Sequence, residues 1–274
     1  MKKIVLSAKF ETFIDESNLQ FSESKGLHLN SSDWKPYIKM KHPDIFKFIS
    51  SGLLVSYTHS DISRKTYQQG YRNTEYRTIL LAGFYLSLVG VSNDKISDFL
   101  TKLMKKTNWR IRCNCPAMVF WGFNYILTKE NSILGPGESR KPVKRNPHLN
   151  GICCKHLWVS LNYLHQKMEE IVKNILLTIR NFYGVQSEHG RQQVLKKVKI
   201  TGVKKLLTDI KTEIVKIDKS LSPEFDNLTK GIKMDYFGKQ EEHKKDVEQN
   251  GKETETINTE DGNRRATRGT FRKN

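Results

Sequence analysis

Two short stretches decide how this chain folds: Trp109-Arg110-Ile111-Arg112-Cys113-Asn114-Cys115 and Cys154-Lys155-His156. In the first stretch apolar residues alternate with basic ones, which predicts a short strand over residues 109–113. Side chains two positions apart on a strand share a face, so Cys113 and Cys115 can point at the same ion. In the second stretch a long helix is predicted to begin near Cys154. The first residue of a helix needs no helical dihedrals, so the Cys154 thiol and the His156 imidazole can converge.

All four cysteines of the chain lie between residues 113 and 154. Cysteines clustered in this way in an intracellular protein indicate metal binding. The predicted ligands of one Zn²⁺ ion are Cys113, Cys115, Cys154 and His156. A Cys₃His set is typical of a closed tetrahedral zinc site, and the positive end of a helix also favours a thiolate. Cys153 is predicted to point away from the ion; Cys153 and His148 stay open as alternative ligands.

These residues resemble the SWIM-type zinc finger, whose pattern is Cys-x-Cys, a variable gap and Cys-x-His. The resemblance covers about residues 109–165. It extends to Ile111-Arg112-Cys113-Asn114-Cys115-Pro116-Ala117, Trp121-Gly122, Arg145-Asn146-Pro147, Gly151 and Cys154-Lys155-His156-Leu157. In this form it is similar to SWIM-like segments of uncharacterised proteins of large tailed bacteriophages. The resemblance implies a small ββα zinc module that acts in DNA binding or in protein–protein contact.

Two amphipathic helices are predicted after the zinc module. Apolar residues step by three or four from Leu157 to Ile179 and again from Val203 to Leu221, which predicts helices over residues 155–183 and 202–221. We expect the two helices to pack as an antiparallel pair, with a polar break at residues 184–190. Together they form a helical region, residues 155–222. Residues 223–274 are predicted to be a disordered tail, since almost no apolar residue follows Gly238.

The pattern before the zinc module is mixed. Residues 1–75 form an N-terminal mixed region, in which the polar stretch from His59 to Asn73 is predicted to be a loop or a mobile arm. The aromatic residues and glycines of residues 74–91 favour buried strands, with a hairpin near Gly83; a buried helix is the alternative. Residues 76–165 then form an α+β core that contains the zinc module. The predicted fold class is α+β, with a zinc-stabilised module embedded in a larger domain.

The charge distribution indicates a polyanionic partner. The chain carries 47 basic residues against 29 acidic ones, a net charge of +18. Half of this, +9, lies between residues 102 and 158, and such a density suits phosphate contact. The candidate nucleic-acid-binding residues are Arg110, Arg112, Arg140, Lys141, Lys144, Arg145 and Lys155. The aromatic residues of the segment 116–125 are predicted to pack the module against the domain rather than to stack on bases.

The sequence lacks the motifs of several common enzyme classes. The chain has neither a Walker-type loop nor a Gly-x-Ser-x-Gly elbow, and a Cys₃His site leaves no open coordination position for water. No run of apolar residues is long enough to span a membrane. We therefore predict a non-enzymatic zinc-binding protein of the cytoplasm that contacts nucleic acid, DNA in preference to RNA, and takes no small-molecule substrate. The alternative is a structural or assembly component of a phage particle, docked on its structural subunits.

Overall fold

The structure, a computed structural model, describes residues 9–22, 38–61, 63–144, 146–198 and 200–230. This part of the chain forms four strands and eleven α-helices. In chain order they are α1 (Phe10–Ser22), β1 (Ile38–Asp44), α2 (Phe46–Ser51), β2 (Leu53–Ser60), β3 (Lys65–Asn73), α3 (Tyr76–Leu88), α4 (Asn93–Lys106), β4 (Trp109–Cys113), α5 (Pro116–Phe120), α6 (Phe123–Lys129), α7 (Lys155–Gln166), α8 (Met168–Tyr183), α9 (Glu188–Lys197), α10 (Ile200–Ile217) and α11 (Ser222–Thr229). A 3₁₀ turn, Lys219–Leu221, precedes α11.

The strands form one antiparallel sheet in the order β1-β2-β3-β4, and helix α7 packs against all four of them. The contact between the Tyr71 hydroxyl on β3 and the Ser160 hydroxyl on α7 identifies the covered side, called here the inner face. Part of this inner face is polar: Thr58 and Gln69 are fully buried and hydrogen-bonded to each other at 2.8 Å. The sheet therefore delivers polar side chains, as well as apolar ones, to the helix that starts at Cys154.

A helical layer completes the core around α3, which packs against α4, α8 and α10. Gly83 lies where these helices come closest. A Cβ atom at this position would be 3.1 Å from Ile179 Cδ1 and 3.2 Å from Leu100 Cδ1. A side chain here would force Ile179 or Leu100 to move by a few tenths of an ångström, so glycine suits the close approach of α4 and α8 to α3.

Helix α1 packs against α7 and against β4 of the sheet. The Trp158 indole on α7 donates a hydrogen bond to Asn18 Oδ1 at 2.9 Å and packs against Phe21 with ring centroids 4.8 Å apart. At the other end of α1, Phe10 packs against Trp109 of β4 at 5.5 Å. Helix α1 thus holds α7 and β4, the two elements that carry the predicted metal ligands.

The α+β class predicted from the sequence is confirmed, but two predictions upstream of Trp109 are wrong. The stretch from His59 to Asn73 is not a loop or arm, because it forms the end of β2 and all of β3. Residues 76–88 form helix α3, the alternative to the predicted strands. Residues 59–73 have the composition of a loop because the inner face of the sheet is partly polar. Residues 76–88 show no helical period of apolar residues, because α3 packs against three helices.

The helices after the module also differ from the prediction. The helix predicted over residues 155–183 is broken at Lys167 into α7 and α8, and the polar break contains the start of a further helix, α9. Helices α8 and α10 both pack against α3 and α4 instead of forming a separate antiparallel pair.

The tail does not begin at residue 223. Residues Ser222–Thr229 form α11, and its Phe225 is fully buried against Phe99 with ring centroids 5.4 Å apart. Residues 231–274, where the rest of the predicted tail falls, lie outside the described residues. No helix in the described part combines the length and the apolar character needed to cross a lipid bilayer.

Candidate metal centre

The four predicted ligands come together where β4 ends and α7 begins. Cys113 is the last residue of β4, and Cys115 precedes the first turn of α5 in an extended conformation. Cys154 is the N-cap of α7, with φ −77° and ψ 163°, and His156 lies in the first turn of that helix. The strand pair and the helix-start pair predicted from the sequence therefore meet at one point.

The ligand atoms of these residues all lie within 4.8 Å of one another, and all four residues are buried. With metal–sulfur bonds of about 2.3 Å, the ligand atoms of a tetrahedral site are about 3.8 Å apart. A contraction of at most about 1 Å therefore closes this cluster around one ion. The set of three thiols and one imidazole fits a metal ion in both chemistry and size.

The imidazole of His156 is the clearest sign that the cluster lacks a partner. The residue is 5% exposed, and neither its Nδ1 nor its Nε2 has a hydrogen-bond partner. One face of its ring packs against Tyr67, with centroids 4.3 Å apart. A buried imidazole with both nitrogens unsatisfied costs free energy, and coordination of a cation by one nitrogen removes much of that cost.

The pKa values of the three thiols also indicate a site that a cation would stabilise. Hydrogen bonds donated by Cys113 and Cys154 lower the pKa of Cys115, so its sulfur is the one that ionises first. The pKa of Cys113 is raised to about 12, chiefly by its contact with Cys115. Burial, together with the same neighbours, raises the pKa of Cys154. A divalent cation at the centre would lower the pKa of all three thiols and so favour three thiolates at once.

Backbone and side-chain donors already point at two of the sulfur atoms. The Gln69 Nε2 group lies 3.4 Å from Cys113 Sγ, and the same amide is fixed by Thr58 Oγ1 at 2.8 Å. The Leu157 N–H donates to Cys154 Sγ at 3.4 Å, as an N-cap interaction. Donors of this kind stabilise thiolate ligands and fix their orientation. Gln69 was missed in the sequence, because only the pairing of Gln69 with Cys113 across β3 and β4 brings it to the site.

Gln20 of α1 holds the chain immediately before Cys154. Its Oε1 accepts hydrogen bonds from Ile152 N–H at 2.7 Å and Cys153 N–H at 3.2 Å, and its Nε2 donates to the Cys153 carbonyl at 2.8 Å. Gly151 has φ +75°, and a Cβ there would lie 2.4 Å from Gln20 Cδ. A glycine therefore permits the close approach through which Gln20 sets the position of Cys154.

The alternative ligands do not join the cluster. Cys153 is fully buried, but the group that can hold a metal includes Cys154 and not Cys153. Burial raises the pKa of the Cys153 thiol, which keeps it protonated. His148 is exposed and outside the group. Neighbouring thiols in the chain thus have different environments, one at the centre and one in the apolar core.

The basic candidate residues are distributed over two surfaces. Arg110 on β4 is exposed and Arg112 is half-buried, and both point to the side of the sheet opposite α7. Lys141 and Lys144 are exposed on the loop of residues 135–147, whereas Arg140 is paired with Glu138, with Nη2 and Oε2 2.8 Å apart. Lys155 is half-buried in the first turn of α7. Arg145 lies outside the described residues.

The aromatic segment beside the site is only partly core. Phe123 is 2% exposed, as predicted, but Phe120 is 61% exposed next to the basic loop. Asn146 anchors that loop, because its Nδ2 donates to the Trp121 carbonyl at 2.9 Å. The prediction that these aromatic residues pack inward is therefore wrong for Phe120.

No family model matches the chain, and no similar protein was found among curated proteins or solved structures.

Proposed function

We propose that this chain is a non-enzymatic zinc protein of the SWIM type that binds nucleic acid through the basic surface beside its metal site. The observation that carries the first part is the buried cluster of three cysteines and His156, whose imidazole nitrogens have no hydrogen-bond partner. The Cys-x-Cys and Cys-x-His spacing supports the SWIM assignment. The basic residues beside the site support the proposed contact with nucleic acid.

Zinc is the metal that this donor set favours. Thiolate ligands select Zn²⁺, Cu⁺ or iron–sulfur clusters, and imidazole suits zinc among these. Zinc has no geometric preference from its d-electrons and takes four such ligands in tetrahedral geometry. Four protein ligands occupy every position of that geometry. The ion then acts as a structural tie between β4 and α7, which supports a binding protein rather than an enzyme.

Two features of the basic surface support contact with phosphates. The segment from residue 102 to 158 contains eleven basic and two acidic residues. One base, Arg140, is paired with one of the acids, Glu138, which leaves the excess of nine positive charges unchanged. Lys141, Lys144 and Arg110 are exposed. Nucleic acid is a polyanion that such a surface attracts, and each phosphate neutralised releases counterions.

The metal is tested by elemental analysis of the purified protein, for which we expect one zinc per chain. Nucleic-acid binding is tested by a salt titration with labelled DNA and RNA. The test variant reverses Arg140, Lys141, Lys144 and Arg145 to Glu, and the matched control reverses Lys196, Lys197, Lys204 and Lys205, which are exposed on α9 and α10. The test variant should lose affinity and keep its zinc, while the control, with the same net charge, loses clearly less. If the wild-type protein binds neither DNA nor RNA at low salt, the nucleic-acid function is wrong.

A further inference from the structure

The side of the sheet opposite α7, called here the outer face, is polar along β3. On β3, Gln69 and Tyr71 point to the inner face, where both are fully buried. The intervening positions therefore point outward, and Thr66, Gln68 and Arg72 are all exposed. Part of this face is covered, because Arg72 Nε donates a hydrogen bond to the Ser51 carbonyl of α2 at 3.2 Å and Val55 of β2 is buried.

Strand pairing places two arginines directly opposite each other on this face. Arg72 of β3 pairs with Arg110 of β4, and both side chains are exposed. Like charges directly across a strand pair destabilise a sheet. None of the ion pairs in the described part of the chain involves either arginine, and the nearby carboxylate of Glu75 is bonded to Asn108 at 2.8 Å and 2.9 Å. A bound anion would relieve the repulsion between Arg72 and Arg110.

Arg112 extends this basic row towards the loop of residues 135–147. It pairs across the sheet with Gly70, over which the side chain of Leu134 lies. The Arg112 guanidinium packs against the backbone of Gly135, where a Cβ would be 2.8 Å from Nη1. Arg110 and Arg112 are about 6.8 Å apart along the strand, so cations continue from Arg72 to the start of the loop.

An exposed aromatic ring lies on the same face. Tyr57 of β2 is 41% exposed and pairs with Gln68 of β3. Gln68 lies two residues along β3 from Gly70, which pairs with Arg112. The neighbour of Tyr57 on the face, His59, is held by Thr66 Oγ1 at 3.1 Å and by Asp61. Tyr57 is therefore two strands away from Arg112 and displaced by two residues along the strand direction, a distance of about 12 Å. This arrangement combines a stacking surface with a line of cations.

We propose that the outer face of the sheet is a binding platform for single-stranded nucleic acid, with a base stacked on Tyr57 and phosphates held by Arg72, Arg110 and Arg112. The proposal rests on the nucleic-acid contact proposed above and adds the type of nucleic acid and the residues that contact it. Single strands are favoured because a duplex keeps its base faces inside the stack, where Tyr57 cannot reach them. Base–aromatic stacking with basic side chains on the backbone is the usual way of binding single strands.

The first experiment measures fluorescence anisotropy of the zinc-loaded full chain with labelled oligo(dT) and oligo(rU) of about 12 nucleotides. A DNA duplex of the same length is the comparison. We expect tighter binding of a single strand. Tyr57→Thr should weaken that binding at least about fivefold, since one stacked base is lost, while Tyr57→Phe keeps the ring and should retain wild-type affinity. Circular dichroism and zinc content should be the same for both variants.

The second experiment removes the arginine pair. Arg72→Gln with Arg110→Gln should lower the slope of log affinity against log salt by about 1.4, which corresponds to two phosphate contacts on a single strand. The matched control, Lys204→Gln with Lys205→Gln, removes the same charge from exposed positions on α10 and should leave the slope near its wild-type value.

Four results overturn the proposal. If the duplex binds as tightly as the single strands, or if Tyr57→Thr binds like the wild-type protein, the platform is wrong. If the double variant Arg72→Gln with Arg110→Gln leaves the slope unchanged, the platform is wrong. If reversal of the basic loop then abolishes binding, the nucleic-acid function stands and its site is the loop alone. If the wild-type protein binds none of the probes at low salt, the platform and the nucleic-acid function both fail.

Discussion

Two neighbouring cysteines with equal burial should respond very differently to the same substitution. Cys153 is fully buried and Cys154 is 1% exposed, yet only Cys154 belongs to the metal cluster. We expect Cys154→Ala to abolish stoichiometric zinc binding and Cys153→Ala to leave it unchanged. Alanine is the appropriate replacement, because a serine hydroxyl at Cys153 would itself be a buried polar group without a partner.

The size of the difference follows from what each sulfur does. Structural zinc contributes about 10 to 16 kcal/mol in small zinc modules, as much as the whole stability of a typical domain, about 5 to 15 kcal/mol. Loss of the ion also leaves the coordinating nitrogen of His156 buried and unsatisfied, at about 1 to 3 kcal/mol. Removal of the Cys153 sulfur leaves a cavity of one atom, which costs about 1 kcal/mol.

These energies translate into separable melting temperatures. For a domain of this size 1 kcal/mol corresponds to about 2 to 4 °C. Cys153→Ala should therefore melt within about 4 °C of the wild-type protein, and Cys154→Ala more than about 10 °C below it. Zinc-to-protein ratios come from elemental analysis, and melting curves are recorded by circular dichroism with and without a chelator. The chelator should destabilise the wild-type protein and Cys153→Ala strongly, and Cys154→Ala hardly at all.

The reasoning is refuted if Cys153→Ala loses the metal while Cys154→Ala keeps it, because the ligand set would then be wrong. It is also refuted if the wild-type protein contains no metal and is unaffected by the chelator. Equal melting temperatures for the two variants, with zinc retained in both, would show that the cluster is an ordinary buried group of thiols.

Three further predictions concern the surroundings of the site. Gln20→Leu should lower the free energy of unfolding in urea by about 1 to 3 kcal/mol, because two backbone N–H groups lose their acceptor; an unchanged denaturation midpoint would contradict the role given to Gln20. Phe225→Ala should cost about 3 to 5 kcal/mol, since the ring is fully buried, whereas truncation after Phe237 should leave the melting temperature unchanged; a truncated protein that melts earlier would refute the second half. Arg140 lowers the pKa of Glu138 to about 2, so any stability from this pair is present at neutral pH and lost as the pH falls through about 2; carboxyl NMR should show this titration, and Arg140→Gln should move it towards about 4.3.

The metal ligands could be predicted from the sequence because each pair depends on local geometry alone. Cys113 and Cys115 need only the alternation of an extended segment, and Cys154 and His156 need only the start of a helix. The sequence also separated Cys154 from Cys153 by its spacing to His156. What brings the two pairs together is the packing of α7 across the sheet, and no local pattern encodes that.

The sheet itself could not be predicted for a physical reason. Strand β3, Lys65–Asn73, carries Gln69 and Asn73 at buried positions, so its sequence is polar on both faces and has the composition of a loop. Helix α3 has the opposite problem, since it packs against three helices and even its exposed side carries the apolar Leu81. Both errors arise because hydrophobic periodicity reports the contrast between core and solvent, and neither element has that contrast.

The hydrogen bonds of Gln20 join parts of the chain that lie 132 and 133 residues apart. During synthesis, helix α1 therefore leaves the ribosome long before the segment that it binds. At about 5 to 20 residues per second the interval is roughly 7 to 27 s. For that time the ring of Phe21 cannot pack against Trp158, its contact in the finished protein. The nascent chain thus presents an amphipathic helix that a chaperone can hold until the ligand-bearing helix emerges, and zinc can complete the site only after that.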